Sequence, residues 1–284
     1  MSILQLPHAR PDVILIDWHA TLVDTHDAMY RAVDDVLPKI DELGLREHML
    51  TPEQSKTIED AKLVKYIRDH ERLHPKIKEQ RKISRSDIFE VLFGDNPEAK
   101  RQAHMAFDVA YRDYVGAVTP LEPDTGEQLI RLRKLGVFLG IISNRNREFM
   151  EHEVQVVENG AWVDLFDTMA CGNDVKYRKP HPDLLFKALE YLGLQANEQC
   201  WYVGDSTTDV VAAKKAGVTA VFYNGAHWDQ VWLDKIFPGT VGHPHQPDAV
   251  VDSIADLVAL ARHMLAQHKR VERASPEPDA TRPL

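Results

Sequence analysis

The sequence predicts an α/β protein in which a parallel-sheet core domain carries an inserted all-α domain. Four apolar residues, Val13 to Ile16, lead directly into Asp17, as expected of a buried strand that ends at a polar group. From about Thr25 to Val118 the pattern is helical, with no convincing strand. Beyond Pro120, segments of strand and helix character alternate, which is typical of a parallel sheet.

Composition narrows the class of protein. Of the 284 residues, 44% are hydrophobic and 27% charged, which is ordinary for a globular protein, and the net charge of −10 argues against a nucleic-acid or membrane-surface partner. The two cysteines, Cys171 and Cys200, lack metal-binding spacing and suit a reducing compartment. No segment reaches the length of a membrane span, so we expect a cytoplasmic protein.

Residues that typically begin or end helices predict where the helices of the insertion lie. The predicted helices cover Asp27 to Leu43, Pro52 to His70 after a Thr51 cap, Ile88 to Phe93 after a Ser84 cap, and Pro97 to about Val115. The stretch from Lys56 to Arg85 is dense in charges of both signs. We interpret it as a solvated helical surface, with a substrate-recognition surface as the alternative.

The spacing of apolar residues predicts the strands and helices of the second half of the chain. Predicted strands cover Val137 to Ile142, Thr168 to Cys171, Cys200 to Val203 and Val218 to Tyr223; predicted helices cover Gly126 to Leu135, Glu148 to Asn159, Asp183 to Leu192, Thr208 to Ala216 and Ile254 to Gln267. Trp228 to Pro247 is predicted to be a surface loop. The expected division is a core of residues 1–24 and 119–268, an α-helical domain over 25–118, and a disordered tail over 269–284.

Polar residues follow the predicted strands where each strand ends. Asp17 follows the first, Ser143-Asn144 the second and Gly204 to Asp209 the fourth, while Lys179 precedes a helix. Carboxyl ends of parallel strands share one edge of the sheet, where such folds bind ligands. Alone, Asp17 is a candidate metal ligand, nucleophile or helix cap. Together, clustered carboxylates favour Mg²⁺, and the hydroxyl and ammonium groups suit a phosphate.

These residues, in this order, resemble the four motifs of the haloacid dehalogenase-like hydrolase superfamily. Asp17 resembles the first motif, Ser143 the second, Lys179 the third, and Asp205 with Asp209 the fourth. The resemblance implies a Rossmann-like core. The helical insertion resembles the cap of phosphoglycolate phosphatases and β-phosphoglucomutases, although its roughly ninety residues are longer than usual for that cap.

The resemblance implies a Mg²⁺-dependent phosphohydrolase that acts on a small phosphorylated metabolite. Asp17 would attack phosphorus and form an aspartyl-phosphate. Ser143 and Lys179 would hold the phosphoryl oxygens, with Asn144 a weaker candidate and Lys176 a rival for Lys179. The metal ligands would be Asp17, Asp205, Asp209 and the backbone carbonyl of His19.

His19 is the departure from the family pattern, because phosphatases usually carry a second aspartate there. We weigh an acid/base role, a positioning role and a weakened site. Two alternative functions follow: a phosphonatase-like enzyme that recruits a cap lysine, and a catalytically weak metal- or phosphate-binding regulatory protein. Lys56, Lys62 and Lys65 are the available lysines, and Met29 stands where the mutases carry a histidine.

Arg81 and Arg85 are two further candidates in the insertion. Either could bind a substrate anion, but nothing in the sequence distinguishes these two arginines from ordinary exposed charged residues.

Overall fold

A computed structural model describes residues 6–80, 83–114 and 118–274. Its main sheet has six parallel strands in the order β5-β4-β1-β6-β7-β8, and a small antiparallel pair joins β2 to β3. The strands are β1 Val13–Asp17, β2 Val23–Asp24, β3 Thr119–Pro120, β4 Phe138–Ser143, β5 Thr168–Cys171, β6 Cys200–Gly204, β7 Thr219–Tyr223 and β8 Ala249–Val251. The predicted α/β class with a parallel sheet is confirmed.

Strand β1 lies in the middle of the sheet and is buried along its whole length. Ile14 and Ile16 pack in one hydrophobic cluster, and Val13 and Leu15 pack in another on the opposite face. A strand covered on both faces needs a continuous apolar sequence, and this explains the run before Asp17. Gly140 of β4 lies opposite Leu15, where a Cβ would come within 2.6 Å of the Leu15 side chain.

In the part of the chain that the structure describes, six helices follow β3. They are α6 Thr125–Arg133, α7 Arg147–Val156, α8 Asp183–Tyr191, α9 Thr207–Ala216, α10 Gln230–Ile236 and α11 Ile254–Ala274. The loop prediction for Trp228 to Pro247 is wrong where α10 forms, because Asp229 accepts a hydrogen bond from the Trp232 N–H and caps a helix. Helix α11 continues to Ala274, so the predicted tail is helical at its start; residues 275–284 lie outside the described ranges.

The described residues of the insertion between β2 and β3 form five α-helices. They are α1 His26–Val36, α2 Ile58–His70, α3 Pro75–Gln80, α4 Arg85–Phe93 and α5 Pro97–Tyr111. They share a hydrophobic cluster that includes Phe89, Phe107 and Tyr111. The pairing of Val23 with Pro120 and of Asp24 with Thr119 brings the two ends of the insertion together. The exact domain boundaries remain a prediction.

Two predicted helices of the insertion have other bounds in the structure, because a cap and a proline interrupt them. The single helix expected from Pro52 is a short 3₁₀ turn, Pro52–Gln54, followed by α2, whose start is capped by the Thr57 hydroxyl. Helix α1 ends at Val36 and continues only as a 3₁₀ turn through Pro38, since proline lacks the N–H that would continue the α-helical pattern. Val115, the predicted end of α5, lies outside the described residues.

None of the helices in the described ranges has both the length and the apolar character of a membrane span.

Candidate active site

Three carboxylates and one ammonium group meet at the carboxyl edge of the sheet. Asp17 is the last residue of β1, Asp205 follows β6, and Asp209 lies in the first turn of α9. One oxygen from each lies within 4.8 Å of the others. Lys179 approaches from the loop before α8, and its side chain is 3% exposed. The structure thus brings together the carboxylates and the lysine that the strand ends predicted.

The Lys179 ammonium group bridges two of these carboxylates. Its Nζ donates to Asp17 Oδ1 at 2.8 Å, to Asp209 Oδ1 at 2.7 Å and to the Tyr202 hydroxyl at 2.7 Å. Tyr202 in turn donates to Asp209 Oδ1 at 2.7 Å. The sequence did not predict a role for Tyr202, whose hydroxyl is a polar group on an otherwise apolar strand. The rival lysine, Lys176, is exposed and lies over the ring of its neighbour Tyr177.

Burial and like charge raise the proton affinity of the cluster. Burial raises the pKa of Asp17 to about 6, although Lys179 opposes the shift. The pKa of Asp205 lies well above its ordinary value because of burial and of repulsion from Asp17 and Asp209. Burial would lower the pKa of Lys179, but its two carboxylate partners outweigh that effect and raise it. The site therefore holds more negative charge than one ammonium group balances.

These donors fit a hard divalent cation. Three carboxylate oxygens this close together repel unless a cation lies among them, and an all-oxygen set suits Mg²⁺. Asp209 is already engaged at both oxygens, since Oδ2 accepts from the Ser206 N–H at 3.1 Å and hydroxyl at 2.6 Å. Asp17 and Asp205 are thus the more available direct ligands. Gly204 is required here because a Cβ would lie 2.4 Å from Asp209 Cγ.

Ser143 is the last residue of β4, and Asn144 follows it. Ser143 is buried, and its hydroxyl accepts from the Arg145 N–H at 3.1 Å. The Asn144 amide holds the loop that carries Lys179: Oδ1 accepts from the Lys179 N–H at 2.8 Å, and Nδ2 donates to the Lys179 carbonyl at 3.1 Å and to Ser86 Oγ at 2.7 Å. These contacts give Asn144 a positioning role that the sequence did not predict.

Both ring nitrogens of His19 face groups outside the carboxylate cluster. Nδ1 lies 2.6 Å from the Thr25 hydroxyl, and Nε2 lies 3.3 Å from Glu153 Oε2 without hydrogen-bond geometry. Burial lowers the pKa of His19 well below its ordinary value, and nearby arginines such as Arg145 add to the effect. His19 is therefore neutral at pH 7 in this arrangement.

Glu153 of α7 is the buried centre of a polar network around His19. Its carboxylate accepts from Trp18 Nε1 at 2.7 Å, from the Tyr111 hydroxyl at 3.0 Å and from Arg145 Nη1 at 3.3 Å. Trp18 and Glu153 are 135 positions apart in the chain, so no local pattern could have predicted the pair. The network joins the loop after β1, the insertion and α7.

The insertion brings two charged side chains of α4 toward the site. Arg85 is buried rather than exposed, and its Nη2 donates to the Asn144 carbonyl at 2.8 Å. Asp87 is half-buried and accepts from the Thr207 hydroxyl at 3.3 Å. Arg81, the other arginine proposed from the sequence, lies outside the described residues.

Because of the Asp87 carboxyl group, the stability of the folded protein should depend on pH. Burial raises the pKa of Asp87 to about 7, although hydrogen bonds from Ser84 oppose this shift. The folded state therefore binds this proton more tightly than the unfolded chain, and the resulting stabilisation is present below about pH 4 and is lost as the pH rises through 7. We expect Asp87→Asn to remove this loss and to gain about 1–3 kcal/mol of stability over the wild type at pH 8.

Chemical unfolding in EDTA at pH 4 and pH 8 measures this difference. Asp95→Asn, on an exposed loop, is the matched control and should change neither value. An equal effect of Asp87→Asn at both pH values would show that Asp87 does not titrate between them.

A family model described as haloacid dehalogenase-like hydrolase matches residues 14–223. The match contains Asp17, Lys179, Asp205 and Asp209, and it spans most of the chain. The chain is a haloacid dehalogenase-like hydrolase.

Curated relatives of this hydrolase carry the name phosphoglycolate phosphatase. The protein from Pectobacterium atrosepticum is 31% identical over 174 residues, which are 60% of this chain and 68% of that relative. The protein from Escherichia coli strain K12 is 30% identical over 163 residues, 57% of this chain and 59% of that relative. The alignment thus spans only about three fifths to two thirds of the relatives' length.

Solved structures share the fold of the hydrolase. A putative haloacid dehalogenase-like hydrolase from Bacteroides fragilis aligns with a TM-score of 0.57 at 21% identity, covering 87% of this chain and all of that one. A putative phosphoglycolate phosphatase from Lactobacillus plantarum aligns with a TM-score of 0.59 at 14% identity, covering 88% and 99%. At these identities the likeness concerns the fold alone.

Proposed function

We propose that this hydrolase is a Mg²⁺-dependent phosphatase that acts on a small phosphorylated metabolite. The observation that carries the proposal is the position of Lys179 between Asp17 and Asp209, beside Asp205, at the ligand-binding edge of the sheet. Clustered carboxylates with one buried ammonium group suit a phosphoryl group and its metal. The relatives named phosphoglycolate phosphatase support the same reaction class.

The proposed reaction has two displacements at phosphorus. Asp17 attacks first, so that a bond forms between its carboxylate oxygen and phosphorus while the bond to the leaving oxygen breaks, and that oxygen takes a proton from water. Water then attacks the aspartyl-phosphate at phosphorus, the bond between phosphorus and the Asp17 oxygen breaks, and phosphate, the Asp17 carboxylate and a proton are released. Lys179 stabilises the equatorial oxygens throughout, and the Ser143 hydroxyl at the end of β4 is proposed to share that role.

Mg²⁺ would be held by Asp17, Asp205 and the His19 carbonyl, with Asp209 through water. When bound, it neutralises the charge between the attacking carboxylate and the phosphate. The Lys179 ammonium group neutralises part of the same negative charge, because it pairs with both Asp17 and Asp209.

The contacts of His19 favour the positioning role among the three interpretations. An acid/base role requires a ring nitrogen to face the leaving oxygen, and both nitrogens here face Thr25 and Glu153. In this role His19 fixes the loop after β1, and its carbonyl, rather than its ring, serves the metal.

The helical insertion is proposed to act as a cap over the site. Its α4 reaches the sheet edge through the contacts of Arg85 with Asn144 and of Asp87 with Thr207. Such a cover would exclude large substrates from the site. The phosphonatase alternative is not favoured, because the candidate lysines are exposed, and the intact carboxylate cluster disfavours the regulatory alternative; these lysines are Lys56, Lys62 and Lys65.

Phosphate release from a panel of small phosphomonoesters tests the proposal. We expect EDTA-treated protein to be inactive and added Mg²⁺ to restore activity, because the carboxylates repel the substrate unless a cation lies among them. Ca²⁺ at the same concentration is the control for charge without the preferred octahedral geometry, and should restore less. Release that is as fast in EDTA as in Mg²⁺ would contradict the proposal.

A further inference from the structure

Each of the two displacements proposed above requires a proton to move. The leaving oxygen gains a proton in the first step, and the attacking water loses one in the second. His19 is not placed for either transfer, because its ring nitrogens face Thr25 and Glu153. A positioned acid or base contributes about 10²–10⁴-fold in rate, which water alone would not supply.

The direction of attack fixes the side on which such a group must lie. In an in-line displacement, the nucleophile and the leaving oxygen are on opposite sides of phosphorus. Asp17 is the last residue of β1 and attacks from the sheet edge, so the leaving oxygen points away from the sheet. The water of the second step displaces Asp17 and approaches from that same side. One group facing Asp17 across the phosphoryl group could therefore serve both steps.

The first turn of α4 lies across the carboxyl end of β1. Ser86 Oγ accepts from Asn144 Nδ2 at 2.7 Å, directly after β4. Asp87 Oδ1 accepts from the Thr207 hydroxyl at 3.3 Å, at the start of α9. In the sheet, β1 lies between β4 and β6, and α9 follows β6. Two consecutive residues of α4 thus reach the loops on both sides of β1, and their turn lies over the strand that ends at Asp17.

Asp87 is the acidic residue that this turn brings to the carboxylate cluster. Its partner Thr207 lies between Asp205 and Asp209 in the chain, and repulsion from Asp87 adds to the raised pKa of Asp205. The second oxygen, Oδ2, accepts from Ser84 Oγ at 2.9 Å. Both partners are neutral hydroxyl groups, and within the described ranges no lysine or arginine forms an ion pair with Asp87.

Asp108, another acidic residue of the insertion, has a different environment. Arg85 and Arg178 donate to its carboxylate at 3.3 and 2.5 Å, so Asp108 is engaged as the counter-charge of two guanidinium groups. Asp87 has no such partner among the described residues.

The environment of Asp87 suits a group that exchanges a proton. Burial raises the pKa of Asp87 to about 7; hydrogen bonds from Ser84 oppose the shift, and repulsion from Asp209 adds to it. Both forms of the carboxyl group are then present near neutral pH, as proton transfer in two directions requires.

We propose that Asp87 is the acid and the base of the reaction. The inference rests on the proposed phosphatase function and deepens it by assigning both proton transfers to one side chain of the insertion. Asp87 replaces water as the proton donor of the first step, and it accepts the proton that the second step releases.

The two transfers balance over one turnover. First, the protonated Asp87 gives its proton to the leaving oxygen as the bond from that oxygen to phosphorus breaks, which leaves an alcohol and the Asp87 carboxylate. Next, this carboxylate takes a proton from water while the water oxygen bonds to phosphorus and the bond from phosphorus to Asp17 breaks. The products are the alcohol and phosphate, and Asp87 is protonated again.

Two phosphoryl donors with different leaving groups separate the two transfers. An alkyl phosphomonoester from the active panel needs a proton at its leaving oxygen, whereas acetyl phosphate releases acetate, which is stable as an anion. In Asp87→Asn we expect kcat for the alkyl ester to fall by about 10²–10⁴-fold. Transfer from acetyl phosphate to Asp17 should be spared, but the aspartyl-phosphate should then persist because the base is missing.

The lifetime of the phosphorylated protein is a readout that turnover does not give. Each protein would be mixed with Mg²⁺ and acetyl phosphate, separated from the donor, and followed by mass spectrometry of the intact chain. We expect phosphorylation of Asp87→Asn to approach one group per chain and to decay about 10²–10⁴-fold more slowly than that of the wild type.

Three further variants complete the test. Asp95→Asn, on an exposed loop of the same insertion, is the matched control and should behave as the wild type with both donors. Asp87→Glu keeps a carboxyl group and should recover part of the decay rate. Asp87→Ala serves if the asparagine variant does not fold, and should show the same persistent phosphorylation.

A merely structural role of Asp87 would give a different pattern. Equal losses of turnover with the two donors would overturn the proposal, as would decay in Asp87→Asn within about threefold of the wild type. An active wild type with an unaffected Asp87→Asn would overturn this assignment alone. A wild type that neither hydrolyses any ester nor becomes phosphorylated would overturn the phosphatase function as well.

Discussion

Asp17→Asn is expected to abolish phosphate release while the protein remains folded. Asparagine keeps the shape of the side chain but cannot attack phosphorus, so turnover should fall by on the order of 10⁴-fold or more, the scale seen when a hydrolase loses its nucleophile. Stability should stay the same or rise at pH 8, because burial raises the pKa of Asp17 to about 6 and the ionised form is disfavoured in the fold.

Steady-state phosphate release and thermal unfolding measure the two halves of this prediction. Asp174→Asn is a control, since this aspartate pairs with Arg147 away from the carboxylate cluster and should keep most of the activity. Turnover within tenfold of the wild type in Asp17→Asn would exclude Asp17 as the nucleophile.

Lys179→Met should reduce both activity and stability. The ammonium group lies 2.8 Å from Asp17 Oδ1 and 2.7 Å from Asp209 Oδ1, so its loss leaves buried carboxylates without their counter-charge. Removing one partner of a buried ion pair costs about 3–5 kcal/mol. Loss of the charge that stabilises the phosphoryl oxygens should lower kcat by about 10²–10³-fold.

The stability loss in Lys179→Met should depend on divalent cation. Mg²⁺ would replace part of the missing positive charge, so we expect it to raise the Tm of the variant more than that of the wild type. Lys176→Met changes the exposed lysine three positions earlier and should behave as the wild type in both assays. Equal Mg²⁺ effects in wild type and Lys179→Met would mean that the lysine and the metal do not share these carboxylates.

The sheet was predictable because its strands are short apolar runs with clear ends. The run before Asp17 and the alternation after Pro120 were enough to place five of the strands. Strand β8, with only Ala249–Val251, offered too short a signal, and α10 depends on a cap in a stretch rich in glycine and proline. The break before α2 arises from the competing cap at Thr57.

The candidate site was predictable only where residues follow strands. Asp17, Asp205 and Asp209 converge as the common edge of a parallel sheet requires, and Lys179 joins them. Partners brought together from distant helices left no local pattern. Glu153 is one case, and Arg178 at Asp108 is another.

The measurement that tests the central claim most directly is detection of the covalent intermediate. Wild-type protein would be mixed with Mg²⁺ and a substrate from the active panel, quenched in acid within a turnover, digested and analysed by mass spectrometry. We expect one phosphoryl group on the peptide that contains Asp17, absent in Asp17→Asn and in EDTA. A phosphoryl group on a different residue during turnover would contradict it.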